Sequence, residues 1–116
     1  MSYKVIIAGG REFNDYIRLC KVCDYYLCNK EDIEIVSGCA RGADSLAIQY
    51  AKDRGYPIKK FPANWDLGKR AGYLRNVEMA EYGDALIAFW NEESRGTKHM
   101  IDIANNLNLK VRVCTY

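Results

Sequence analysis

The sequence holds one histidine and two prolines among its 116 residues. A single imidazole cannot provide the paired histidines of a zinc site, and the five cysteines do not complete one. Cys20-Lys-Val-Cys23 has the spacing of a metal knuckle or a redox pair, but it falls in the middle of a predicted helix. No second pair and no neighbouring histidine completes four ligands, so no metal is expected. The cysteine count is odd, and Cys20, Cys23 and Cys28 crowd onto that one helix, which argues against a secreted disulfide scaffold. Reduced, packed thiols and a cytoplasmic location are the expectation. No apolar stretch approaches the ~20 residues of a membrane span, and no membrane partner is expected. A strand pattern begins within three residues of the N-terminus, and no signal peptide is expected. The net charge of +2 gives no basic surplus to attract nucleic acid. Gly-x-Ser-x-Gly, a histidine pair and a full Walker lysine motif are all missing, so no nucleophile–base pair announces itself.

What is present is ordinary in bulk: 49% hydrophobic and 28% charged residues fit a soluble globular chain. The length fits one domain, 1–116, with a real core. Strand and helix patterns alternate. Strands are expected near Lys4–Ala8, Ile33–Val36, Ile58–Phe61, Ala85–Phe89 and Lys110–Cys114. Helices are expected over Asp15–Cys28, Gly42–Arg54, Arg70–Tyr82 and Gly96–Leu107, with Pro62–Lys69 irregular. Asn14 is the expected cap of the first helix, and Ile17, Leu19, Cys20, Cys23 and Leu27 its buried face. Such alternation predicts an α/β, Rossmann-like, doubly wound parallel sheet of five strands, order 3-2-1-4-5, with helices on both faces. Strands one and four would adjoin at the switch point, where ligands bind at carboxyl ends.

Three glycine-bearing turns, each with an arginine, fall at such carboxyl ends. Gly9-Gly10-Arg11 is the first; alone it is a common glycine loop with a solvated arginine. The second is Ser37-Gly38-Cys39-Ala40-Arg41-Gly42-Ala43-Asp44. There Gly38, Gly42 and Ala43 permit close approach of an anion to a helix N-terminus, Ser37 offers a hydroxyl, and Arg41 adds charge. Asp44 either complements the helix dipole or accepts bonds from ribose hydroxyls. The third turn, Arg95-Gly96-Thr97, opens the last helix; its bland reading is capping by Ser94 or Thr97. Between them, Trp65 could stack on a base, Lys69, Arg70 and Arg75 supply cations, and Asn76 could read a base or sugar. Taken alone, Trp65 reads rather as a plug at the end of the core. His99 reads as a surface side chain. The residues speak for binding more clearly than for catalysis.

These motifs resemble the SLOG superfamily, and within it the small YspA-like, YpsA-related branch found in bacteria and phages. The carrying segments are Ala8-Gly9-Gly10-Arg11-Glu12-Phe13, Ser37 to Asp44, Phe61-Pro62-Ala63-Asn64-Trp65, Gly68 to Asn76, and Arg95-Gly96-Thr97, in family order over essentially the whole chain. The resemblance implies a Rossmann-like fold and a nucleotide or nucleotide-derived ligand, such as a cyclic ADP-ribose-like signal, with no separate cofactor. It also implies self-association as a homodimer or higher oligomer, for which Tyr25, Tyr26, Tyr73 and Tyr82 are sensible interface side chains. LOG-type relatives hydrolyse nucleoside monophosphates with an arginine on the helix after the third strand and a glutamate three residues beyond the Gly-Thr pair. Arg75 matches the first position, and Met100 stands at the second. Sensing or sequestering a nucleotide is therefore the leading expectation. LOG-type hydrolysis through Arg75 and Asp44 is one alternative, and single-strand nucleic-acid binding, as in DNA-processing relatives, another.

Overall fold

In a computed structural model, which describes residues 2–116, strands and helices alternate along the chain. The order is β1 (Tyr3–Gly9), α1 (Tyr16–Leu27), β2 (Ile33–Ser37), α2 (Ala43–Arg54), β3 (Ile58–Lys60), a 3-10 segment (Trp65–Arg70), α3 (Ala71–Tyr82), β4 (Ala85–Trp90), α4 (Arg95–Asn106) and β5 (Lys110–Thr115). The five strands form one parallel sheet in the order β3-β2-β1-β4-β5. The expected Rossmann-like α/β architecture and strand order are thus present.

Period-two alternation sends successive strand residues to opposite faces of the sheet. Val5, Ile7, Ile35, Ile87 and Phe89 pack with Leu19, Cys23 and Leu27 of α1 and Ala47, Tyr50 and Ala51 of α2. Ile6, Ala8, Val36, Leu86 and Ala88 pack with Met79 and Ala80 of α3 and Met100, Ile101 and Ala104 of α4. β1 and β4 are apolar on both sides because each is covered on both faces. β5, at the sheet edge, is exposed except at the half-buried Val111 and Cys114.

Helix ends follow local chemistry, with some departures from expectation. Asp15, not Asn14, caps α1: its Oδ1 accepts the Arg18 amide at 3.0 Å. A carboxylate at this position also meets the positive end of the helix dipole. Ile17 is 70% exposed rather than buried, because Leu19, Cys23 and Leu27 define the inward stripe and Ile17 lies off it. Gly55 ends α2 in the left-handed conformation, its amide bonded to the Ala51 and Lys52 carbonyls. Of the segment expected to be irregular after β3, Pro62 to Asn64 are so, and from Trp65 onward it is instead wound into the 3-10 turn. Asn64 caps it by accepting the Asp66 amide at 3.2 Å, and Gly68 kinks it at φ 76°. Trp65 does not plug the core; at 57% exposure it stands out from the sheet edge. The thiol of Cys23 is buried, those of Cys20, Cys39 and Cys114 are half-buried, and Cys28 is exposed rather than packed. Among the described residues, no helix is long and apolar enough to cross a membrane.

Candidate functional site

The carboxyl ends of β1 and β4 adjoin, with Gly9 paired to Phe89. A cavity of about 310 Å³ opens above them. This lies at the low end of the roughly 300–1,000 Å³ typical of small-molecule sites. Its position follows from topology: β1 leads on to α1 on one face of the sheet and β4 to α4 on the other, so their ends diverge around a crevice.

Each of the three turns reaches this cavity. Gly9 and Arg11 line it from the first and Asp44 from the second, and Gly96 and Thr97 from the third. Trp65, Lys69, Arg75 and Asn76 line it from the 3-10 segment and α3. The other singled-out residues stand behind or beside the wall. Gly10 is packed under the Tyr116 hydroxyl, while Arg41 and Arg95 are exposed outside the lining. Ser37 is fully buried, donating its hydroxyl proton to the Asp44 carbonyl at 2.8 Å and accepting the Cys39 amide at 3.2 Å.

Gly42 and Ala43 join the first two turns. The Ala43 amide donates to the Gly10 carbonyl at 3.2 Å, and Gly42 has φ +76° with its Cα against that carbonyl and the Arg11 backbone. A side chain at Gly42 would separate the two turns. Gly38 has a different reason to be glycine. A Cβ there would lie 2.6 Å from Arg75 Nη1 and 2.8 Å from Asp44 Oδ2. The bare Cα lets the Arg75 guanidinium and the Asp44 carboxyl share one small space, and Arg75 donates to the Gly38 carbonyl.

Asn76 is buried, and it links this cluster to α4. Its Oδ1 accepts from Arg75 Nε at 3.2 Å, and its Nδ2 donates to the Gly96 carbonyl at 3.2 Å. His99 Nδ1 lies 3.2 Å from the same Nδ2. An amide nitrogen only donates, so Nδ1 accepts and the ring proton sits on Nε2. Burial lowers the His99 pKa, with Asp102 pulling the other way, and this agrees with a neutral ring. His99 also meets the Tyr73 ring edge-on at 4.7 Å between centroids. It is thus half-buried against two lining residues, Asn76 and Tyr73, rather than a free surface side chain.

Asp44 is 5% exposed. Burial raises its pKa to about 6, against the opposing pull of Arg75, the Ala40 amide and Arg11. That amide donates to Oδ2 at 3.2 Å. Arg11, Lys69 and Arg75 therefore surround a cavity whose one lining carboxyl is easily protonated.

Several wall residues were not among the expected ligand contacts. Ala8, Ala40, Gly72, Tyr73, Met79, Ser94 and Met100 complete the lining. Ser94 acts as the α4 cap, its Oγ accepting the Thr97 amide at 3.3 Å. Gly72 falls in the first turn of α3 beside Trp65 and Arg75, so its i,i+3 spacing from Arg75 was the signal that could have found it.

Residues 3–68 match the YAcAr family, described as the YspA, cpYpsA-related SLOG family. The chain is also 32% identical over 116 residues to the "Gene 61 protein" of Mycobacterium phage D29, an alignment covering 93% of each chain. No solved structure matches it. The matched residues include the first two turns, Trp65 and both strands that carry those turns, and with them the chain belongs to the YspA, cpYpsA-related SLOG family.

Proposed function

We propose that this protein binds a nucleotide or nucleotide-derived ligand in the cavity at the carboxyl edge of its sheet and serves, in the cytoplasm, to sense or sequester it. The observation that carries this reading is the convergence of Arg11, Lys69, Arg75 and the first turn of α4 on one hollow with an exposed tryptophan at its rim. Cations and a helix N-terminus suit phosphate. The flat face of Trp65, together with Tyr73, suits a base. Family membership agrees with a ligand of this kind. Self-association fits the exposed Tyr25 and Tyr73 rings. Calorimetry against a panel of nucleoside mono-, di- and cyclic phosphates tests the ligand class. Saturable heat with at least one member is expected, and no heat with any overturns the reading.

A second reading rests on Asp44. A carboxyl with a pKa raised to about 6 beside an arginine suits giving its proton to the departing base as the N-glycosidic bond breaks, and taking one back from the water that adds to the ribosyl carbon. Against it, Met100 puts an apolar thioether in the wall at the LOG-type glutamate position. Release of free base from nucleoside monophosphates, lost in Asp44→Asn, would support hydrolysis; intact substrate after long incubation rejects it.

A further inference from the structure

The sheet has a second hollow at its opposite end. β1, β4 and β5 begin at Tyr3, Ala85 and Lys110. A cavity of about 140 Å³ opens between these strand starts and the carboxyl end of α1. Its floor is apolar, from Val5, Leu27 and Ile87, and Tyr3 and Tyr26 stand as walls. Ala85 and Leu86 with the cations Lys30, Lys110 and Arg112 complete the lining. The register pairs Lys110 with Ala85 and Arg112 with Ile87. Ile87 faces α1 and α2, so both cations stand on that same face.

The charge here is one-sided. Lys30 Nζ lies 4.9 Å from the Tyr3 ring centre, and the Arg112 guanidinium 5.5 Å from that of Tyr26. The ion pairs Arg54–Asp24 and Lys98–Asp102 lie elsewhere, so among the described residues none of the three cations is ion-paired. No carboxylate is in the lining. Asp84 acts on the Tyr3 hydroxyl from outside it, with its Oδ2 taken by the Lys4 amide at 2.9 Å. Three like charges around one hollow repel one another, and an anion between them relieves that repulsion.

We propose that this hollow binds a small organic carboxylate, its compact apolar body on the floor between the tyrosines and its carboxylate on Arg112, flanked by Lys30 and Lys110. The argument is independent of the nucleotide reading. An apolar cavity of about 150 Å³ holds benzene, so the space suits a body of that size. The planar fork of arginine matches a carboxylate, and tyrosine hydroxyls add further donors. Inorganic phosphate has the charge but no apolar body, and a neutral aromatic has the body but no charge.

Amide chemical shifts of the full chain, titrated with benzoate, benzyl alcohol and inorganic phosphate, test this. Saturable shifts with benzoate are expected at Tyr3, Leu27 and Arg112. Affinity is expected to fall at least about tenfold for benzyl alcohol and in Arg112→Gln, the loss of one charge-assisted pair. Arg112 is exposed on an edge strand, so this variant keeps the fold, which circular dichroism checks. Lys110→Gln, equally exposed, should weaken benzoate too. The proposal is overturned if benzoate gives no saturation at millimolar concentration, or if its shifts fall at Gly9 and Thr97 instead. It is also overturned if benzyl alcohol or phosphate binds as tightly, or if Arg112→Gln changes nothing.

Discussion

Asn76 orients Arg75 at the mouth of the cavity, its Oδ1 accepting the Arg75 Nε proton at 3.2 Å. The amide cannot be turned over, because Arg75 only donates and the Gly96 carbonyl, 3.2 Å from Nδ2, only accepts. Through this pair α3 holds its cation and ties down the first turn of α4. Asn76→Ala removes both bonds in a buried position and should cost about 1–3 kcal/mol of stability. Asn76→Asp keeps the Arg75 partner and loses the donor to Gly96. That variant also adds a carboxylate to the cavity lining and so should weaken phosphate binding, which makes Gly55→Ala, a destabilised variant away from the cavity, the better comparison: if Asn76 acts through Arg75, Asn76→Ala should lose more nucleotide affinity than Gly55→Ala. Thermal melts paired with calorimetry separate the two effects, and equal affinity losses would reduce Asn76 to a packing residue.

Asp44 makes stability fall as pH rises. Its carboxyl has a folded pKa of about 6 against a reference of 3.8, so the folded state binds its proton more tightly than the unfolded state. Between these two values stability declines with increasing pH, and above about 6 the full penalty, about 3 kcal/mol, is present. His99 works in the opposite sense: its folded pKa is lowered, so its contribution is lost as pH falls below its usual value. Asp44→Asn isolates the first effect. It should abolish the decline in melting temperature between pH 4 and 6 that is attributable to the carboxyl. It should also strengthen binding of a phosphate-bearing ligand above pH 6, since it removes the one anion from the cavity lining. Wild-type and variant melts across that range make the comparison, and parallel curves would contradict it.

Much of this arrangement was legible in the sequence, because apolar runs bounded by glycine turns encode both the strands and their covered faces. The strand order placed Gly9, Gly38 and Gly96 at one edge before any side chain was known. What the spacing could not convey is which polar groups turn inward. Ser37 ends β2 and Asp44 lies in the first turn of α2, flanking a turn that reads as solvent-facing, yet the contact of Gly42 with Gly10 draws that turn onto the sheet, and both residues are buried. Asn76 reads as a ligand contact because a lone amide gives no sign of its partners; beside Arg75 on its own helix, these are Gly96 and His99 of α4, distant in sequence. Trp65 errs in the other direction. Tryptophan is usually buried, but Asn64 and Gly68 wind this segment into a turn that holds the ring outside the core.

Trp65 gives a direct optical test of the proposed base contact. Its ring is mostly exposed, so Trp65→Ala should leave the melting temperature nearly unchanged. Loss of one base–aromatic stack should weaken nucleotide binding by about 1–3 kcal/mol. The other tryptophan, Trp90, is half-buried and does not itself line the cavity; it donates its Nε1 proton to the carbonyl of the lining residue Ser94 at 3.1 Å. Ligand-induced quenching of fluorescence should therefore vanish in the variant. Quenching that persists would assign the signal to Trp90 and remove the base from Trp65.

Gly42 and Gly55 share a positive φ, 76° and 73°, but differ in what surrounds them. Around Gly55 a Cβ meets nothing within 4 Å, so Gly55→Ala pays only the left-handed backbone strain of about 1–2 kcal/mol. At Gly42 the same atom strikes the Gly10 carbonyl oxygen and the Arg11 backbone. These are main-chain atoms, which cannot swing aside as a side-chain end would. Relief requires the first turn to move away from α2, breaking the Ala43-to-Gly10 hydrogen bond. Gly42→Ala should thus destabilise the protein by more than Gly55→Ala and, unlike it, displace Arg11 from the cavity and weaken nucleotide binding. Chemical denaturation and calorimetry on both variants decide the point. Equal losses of stability, with affinity intact in both, would mean that the two turns do not depend on each other.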